Sequence, residues 1–529
     1  MTRRSVPSGK KLLLKNGFIV DGQKNSEIKK GSIIIENEII QDVIFEDKIN
    51  QDNYEVIDIE GNYICPGFID VHSHSDLTII AYPEAESAIS QGVTTVISGN
   101  CGFSVCPTNN TISSILTEAK SYGIEDIQWR TVGEYLNFLE KTEIAVNHAY
   151  LVGHGQIRAE VVGYSNTKLD YEKLQQMKFE VEKALDEGAI GLSLGLIYIP
   201  GRFSDLEELV ELAKVVKKKE RVVTNHMRSE SSALLEAIQE SIDISRLSGV
   251  NFQISHLKAA GSGRGKALQA CEKIREAIDS GINIAADQYP YNASNTGLSQ
   301  VLPPQYLEGS IEEIIKKISE DPEMVAEEIE KYPHTPWDKI IISEAYNPKL
   351  SKYLGMSISE IARDMKLSEA RTVIELMRIE EYDLGAIYFL MDQEEVDYIA
   401  KQDFVMVASD SAVRNCDTPA FPHPRTFGSF VKFISYYVKE RKDISLSDAV
   451  FKMTYFPALK FGIKNRGAIK KGFFADLVVF NYQEIEDRAT YSNPKSLAKG
   501  IVNVFVNGKK AFENGTVICK NGKVLRDFD

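Results

Sequence analysis

Two histidines separated by one residue, His72 and His74, close the run PGFIDVHSHSD (66–76) and offer two imidazole donors to one point. Phe68, Ile69 and Val71, following a Pro-Gly turn, predict a short buried strand. Residues i and i+2 of a strand share a face, so both rings can converge on one ion beyond the strand's C-terminal end. Two solvated polar side chains in a loop would show the same spacing, and the other candidates decide between the readings. These are His226, ending VVTNH, His256, ending FQISH, and Asp410, ending VMVASD. Each is a metal-competent or proton-accepting group at the end of a strand-like run, and each alone would read as a satisfied core polar residue. Cys101, in SGNCGF, joins them, because a thiolate there can hold or bridge zinc.

Such residues act together only if the chain brings the strand ends to one place. Strand-like runs are read at 68–72, 93–98, 149–153, 189–194, 222–226, 250–256, 282–287 and 405–410. Amphipathic stretches such as YEKLQQMKFEVEKALDEG and SSALLEAIQESIDISRLSG alternate with them, which predicts an α/β fold of the (β/α)8 TIM-barrel type spanning 66–465. Residues at the C-terminal ends of barrel strands surround one mouth, and that is where the candidates fall. The ends of the chain, 1–65 and 466–529, carry short alternating strands broken by Gly and Asn, and are expected to pair into a small β-sandwich domain. The interval 292–404, between the seventh and eighth strands, is far longer than a βα connection requires and is read as an inserted lid subdomain.

Composition narrows the function. The chain has 529 residues, 43% of them hydrophobic, enough for a sizeable core. Its net charge of −15 argues against nucleic acid, and any anionic substrate must be held by locally placed cations. The apolar stretch Leu12–Leu14 is too short for a signal-peptide core, and no later segment reads as a membrane span, so a cytoplasmic protein without a membrane partner is expected. Six scattered cysteines do not read as a disulfide framework.

The motifs PGFIDVHSHSD, QGVTTVISGNCG, GHGQIR, EGAIGLSLGLIYIPG, NHMRSE, ISHLK, DQYPYNAS, VASDS, HPRTFGSF and DRATY, in this order over nearly the whole chain, resemble the N-acyl-D-amino-acid deacylase (D-aminoacylase) family of the amidohydrolase superfamily. The resemblance implies a zinc enzyme (Zn2+) that hydrolyses a small-molecule N-acyl-D-amino acid to a carboxylic acid and a free D-amino acid. It implies that Cys101, His226 and His256 hold the tighter zinc. His72, His74 and Asp410 would surround a second, weaker position, with Asp410 also the general base. The carboxylate of the leaving amino acid needs a cationic fork, which Arg425 suits. Lys258 and Tyr289 match the family's other carboxylate contacts, and Tyr198 matches a tyrosine that touches the reacting carbonyl. His154 is a candidate to line the pocket.

One departure stands out: where the family has a serine after YPY, this chain has Asn295, with Ser294 beside it, and either could meet the substrate. Family members selective for acidic substrates carry an arginine soon after this segment, and GLSQVLPPQYLEG here contains no Arg or Lys, so the resemblance implies a neutral or apolar side chain on the substrate. Alternatives are a cyclic-amide hydrolase of hydantoinase or dihydroorotase type, a non-catalytic scaffold on the same barrel, and a serine amidase using Ser193 of GLSLG. The last fails in context, because Pro200 and Gly201 follow where an elbow requires a helix.

Overall fold

The computed structural model describes residues 11–45 and 49–526. The chain opens with β1 (Lys11–Ile19), β2 (Lys29–Glu36), β3 (Ile39–Ile44), β4 (Tyr54–Asp58) and β5 (Tyr63–Pro66). Leu12–Leu14 thus lies inside β1, and residues 1–10, where the N-terminal basic residues fall, lie outside the described residues. Then come β6 (Phe68–Asp70), β7 (Val93–Ser98), β8 (Asn147–Gly153), β9 (Gly191–Gly195), β10 (Val222–His226), β11 (Asn251–Ile254) and β12 (Ile284–Gln288). An insertion contributes β13 (Ala293–Gly297), β14 (Ile340–Glu344) and β15 (Gly385–Phe389) before β16 (Val405–Val407), and the chain closes with β17 (Leu477–Phe480), β18 (Ile501–Val506), β19 (Lys509–Glu513) and β20 (Thr516–Val517).

β6 to β12 and β16 form one eight-stranded parallel sheet in the order β16-β12-β11-β10-β9-β8-β7-β6. Its ends meet where Asp410 N donates to His72 O (2.9 Å) and His74 N to Ser411 O (2.9 Å), which closes the barrel at its C-terminal rim. Helices between the strands follow their apolar spacing. In the helix Tyr171–Asp186, Met177, Val181, Ala184 and Leu185 are buried, and Asp170 caps the first turn by accepting from Lys173 N. The helix Leu234–Ser248 buries one face likewise and stops at Gly249, whose φ of 70° is a conformation glycine adopts at no steric cost.

The terminal segments meet in one nine-stranded sheet, β5 running antiparallel to β17 with Cys65 opposite Val478 and Ile64 opposite Val479. A buried polar knot fastens this sheet to the base of the barrel. Asp476 accepts from Arg466 and, at 2.7 Å, from Asn507 N, while Asn507 Nδ2 reaches Asn147 Oδ1 on β8 at 2.8 Å. Arg466 and Asp476 are each about 4% exposed, so removing one partner strands the other's charge in the interior. Arg466→Met is therefore expected to cost about 3–5 kcal/mol, read as a lowered midpoint in chemical denaturation.

The insertion has its own core, in which Leu298, Ile340, Ile342, Ile361, Val373 and Leu376 are buried, and a three-stranded antiparallel sheet in the order β13-β15-β14. β13 places this unit at the barrel mouth, since it starts five residues after β12 ends.

Candidate active site

The C-terminal ends of the barrel strands turn sharply inwards. Cys101, His256 and Asp410 have φ of 55°, 35° and 50°, in the left-handed region that side-chain-bearing residues rarely occupy. The expected runs 250–256 and 405–410 are consequently strand only to Ile254 and Val407, because the backbone leaves the ladder to aim His256 and Asp410 over the mouth. Gly195 permits the close approach of β9: a Cβ there would lie 1.9 Å from Cys101 O.

Two donor groups result. Cys101 Sγ lies 3.4 Å from His226 Nδ1 and 3.5 Å from His256 Nε2, and those nitrogens are 2.9 Å apart. Soft sulfur with two imidazoles, all buried and aimed at one point, suits zinc. Beside it, His72 Nε2 is 3.2 Å from Cys101 Sγ and 3.3 Å from Asp410 Oδ1, and His74 Nε2 is 3.2 Å from the same Asp410 oxygen. Cys101 belongs to both groups, so it stands where a bridging ligand would. Burial resists ionisation of this thiol, yet His72, His256 and His226 around it hold it well below its usual value. Burial likewise opposes ionisation of Asp410, and Arg425, His256 and His72 more than offset that, keeping the carboxylate charged.

Two carboxylates absent from the sequence reading orient the histidines. Glu230 Oε1 lies 2.8 Å from His256 Nδ1, and Asp287 Oδ1 lies 3.2 Å from His72 Nδ1 while accepting from His256 N at 2.8 Å. A carboxylate beside Nδ1 favours the proton there, which would leave Nε2 facing the donor cluster as an acceptor. Glu230 sits in NHMRSE and Asp287 in DQYPY; the need of a metal-binding imidazole for a carboxylate behind it is the signal that could have found them. Glu230→Gln is expected to weaken zinc about 10–100-fold, measured by competition with a chromophoric chelator, and an unchanged affinity would count against its role.

Of the other sequence candidates, Lys258, Tyr289 and Arg425 gather on the β11, β12 and β16 side, while Tyr198 follows β9. Arg425 Nη1 donates to Asp410 Oδ2 at 2.7 Å and Nη2 to Asn295 O at 3.3 Å, which leaves Nε buried without a partner. The Tyr289 ring lies under the Arg425 guanidinium at 4.6 Å, and its hydroxyl is also buried without a partner. Lys258 Nζ is 2.6 Å from Glu230 Oε1, so its charge is already paired. Tyr198 stacks edge-on to His226, with centroids 4.8 Å apart, and its hydroxyl lies 3.1 Å from Thr296 Oγ1.

Thr296 was not picked out from the sequence, and it orients β13: residues alternating along a strand share a face, so Ser294 lies on the same side as Thr296. Asn295 points the other way, where its Oδ1 accepts from Ser343 Oγ of β14 at 2.7 Å. His154 is fully buried, its Nε2 2.8 Å from Glu208 Oε1, beneath the loop that carries Tyr198. Ser193 is buried within β9, donating to Gly99 O and accepting from Gly102 N, and is not on a nucleophile elbow.

Two amidohydrolase family models match residues 55–194 and 396–511. A D-aminoacylase of Alcaligenes xylosoxydans xylosoxydans is 30% identical over 97% of both chains. An N-acyl-D-glutamate deacylase from the same organism is 32% identical over 89% of this chain and 88% of its own. The crystal structure of the Bordetella bronchiseptica N-acyl-D-glutamate deacylase, bound to zinc and to a phosphonate inhibitor mimicking the tetrahedral intermediate, superposes with a TM-score of 0.81. It shares 29% identity, covering 98% of this chain and 99% of that one.

Proposed function

The chain belongs to the D-aminoacylase family of amidohydrolases, and on that premise we propose that it hydrolyses the amide bond of N-acyl-D-amino acids with zinc held by Cys101, His226 and His256. The observation that carries the reading is the meeting of that donor triad with Asp410 and with an Arg425–Tyr289 pair whose Nε and hydroxyl are buried and unpartnered. Zinc supplies Lewis-acid polarisation of a carbonyl and acidification of water. The rest of the chemistry falls to the chain's own residues.

Arg425 Nε and the Tyr289 hydroxyl take the carboxylate of the amino-acid half, a group whose charge and geometry match their unused hydrogens. The Tyr198 hydroxyl donates to the carbonyl oxygen; burial and the nearby Cys101 push its pKa well above the ordinary tyrosine range, so the proton stays on. Asp410 accepts the proton of the attacking water and returns it to the departing amine, which leaves a carboxylic acid and a free amino acid. Ser294, on the Thr296 face of β13, is the hydroxyl that meets the substrate carboxylate, whereas Asn295 belongs to the insertion's own bonding. His72 and His74 with Asp410 form the second, weaker metal position.

An uncharged substrate side chain follows from the stretch 297–309, which adds no cation to the mouth. Arg414, the nearby alternative, is already paired with Glu344 Oε1 at 2.7 Å. The insertion 292–404 lies over the mouth as a cover, bound through β13.

The test is hydrolysis of N-acetyl-D-methionine and N-acetyl-L-methionine by purified protein, with and without a zinc chelator. Release of D-methionine alone, abolished by chelation and restored by zinc, is expected. Chelator-resistant release, or none from either isomer with zinc bound, would overturn the reading.

A further inference from the structure

A narrow cleft with room of about 40 Å³, open to solvent at its outer end, leads away from Cys101 and Tyr198 between the loops that follow β7, β8 and β9. Phe103, Gly155, Ala159, Tyr164, Ile199 and Pro200 line it, and no Lys, Arg, Asp or Glu does. Phe103 is 52% exposed, and its ring packs at 5.0 Å on that of Tyr198.

Barrel topology says what enters this cleft. In the ring of eight strands β8 lies diametrically across from β12, so the cleft faces the Arg425–Tyr289 carboxylate grip with the zinc ligands between them. A secondary amide is planar and trans, so its acyl carbon and the amino-acid Cα leave the C–N bond in opposite directions. With the carboxylate on the β12 side and the carbonyl oxygen at Tyr198, the acyl arm can only run towards β7–β9.

Resting on the deacylase reading, we infer that this cleft is the acyl subsite and that it takes an unbranched aliphatic acyl chain longer than acetyl, gripped between Phe103 and Ile199. An alkyl chain suits the lining, because glycine backbone and apolar side chains offer contact without a charge to answer. Each methylene taken from water into such a cleft improves binding roughly fourfold when fully covered, and less where the cleft is open.

The experiment is a series of N-acetyl-, N-butanoyl-, N-hexanoyl- and N-octanoyl-D-methionine hydrolysed by the zinc-loaded enzyme and by Phe103→Ala and Tyr164→Ala variants. In the native enzyme kcat/KM is expected to rise roughly twofold to fourfold per methylene as far as butanoyl or hexanoyl. The ratio of the hexanoyl to the acetyl value is expected to collapse at least about tenfold in the Phe103→Ala variant, and to a smaller degree in the Tyr164→Ala variant. A ratio independent of both substitutions, or a rate that falls steadily from acetyl onwards, overturns the inference while leaving the deacylase reading intact. Hydrolysis of no member of the series rejects that reading and the inference with it.

Discussion

Replacing Asp410 by Asn is expected to lower kcat by about 10²–10⁴-fold, the usual contribution of a positioned general base, with a much smaller change in KM. The substitution isolates proton transfer unusually well. Asparagine tolerates left-handed backbone, so the φ of 50° at this position persists, and its amide oxygen can still accept from Arg425 Nη1. Zinc content should stay near one per chain, because the tighter position proposed at Cys101, His226 and His256 does not use the carboxylate. Steady-state kinetics paired with elemental analysis decides: a kcat within tenfold of native, at full zinc occupancy, would remove Asp410 from the role of base.

Cys101→Ser is the second large effect, and it acts on the metal itself. Serine keeps the size and the backbone conformation, but its hydroxyl stays protonated where the surrounding histidines hold the thiol's pKa well below its usual value and favour the thiolate. Zinc affinity should fall by more than the 10–100-fold typical of losing an outer-shell partner, and activity should follow zinc content. Dialysis against a weak chelator followed by metal analysis makes the measurement; a variant that kept stoichiometric zinc would mean that His72 and Asp410 suffice to complete the tight site.

The strand ends were legible because barrel chemistry obeys a simple rule: His72, His74, Cys101, His226, His256 and Asp410 each follow an apolar run that could be counted along the chain. What periodicity could not reveal was which hydrogen bonds stand behind them. Glu230 and Asp287 are ordinary acidic residues in one dimension and become orienting groups only when β10, β11 and β12 bring them to the Nδ1 atoms of His256 and His72. Lys258, two residues after His256, also has partners that the sequence did not reveal, Glu230 Oε1 at 2.6 Å and His256 Nδ1 at 2.9 Å.

β13 escaped notice because ASNTG is poor in strand-forming residues, and its conformation comes from pairing with β15 rather than from propensity. Without that strand the choice between Ser294 and Asn295 had no basis, since only a known register separates the two faces.

The seam between β5 and β17 joins residues that are more than four hundred positions apart in the chain, Pro66 lying opposite Leu477. A ribosome adding about 5–20 residues per second therefore leaves roughly 20–80 s between the emergence of the two strands. Throughout that time the hydrophobic edge Tyr63–Pro66 has been synthesised without the strand that covers it, and an uncovered edge invites pairing with other chains. That edge stays uncovered until Leu477–Phe480 is made, and any truncation that removes Leu477–Phe480 makes the exposure permanent.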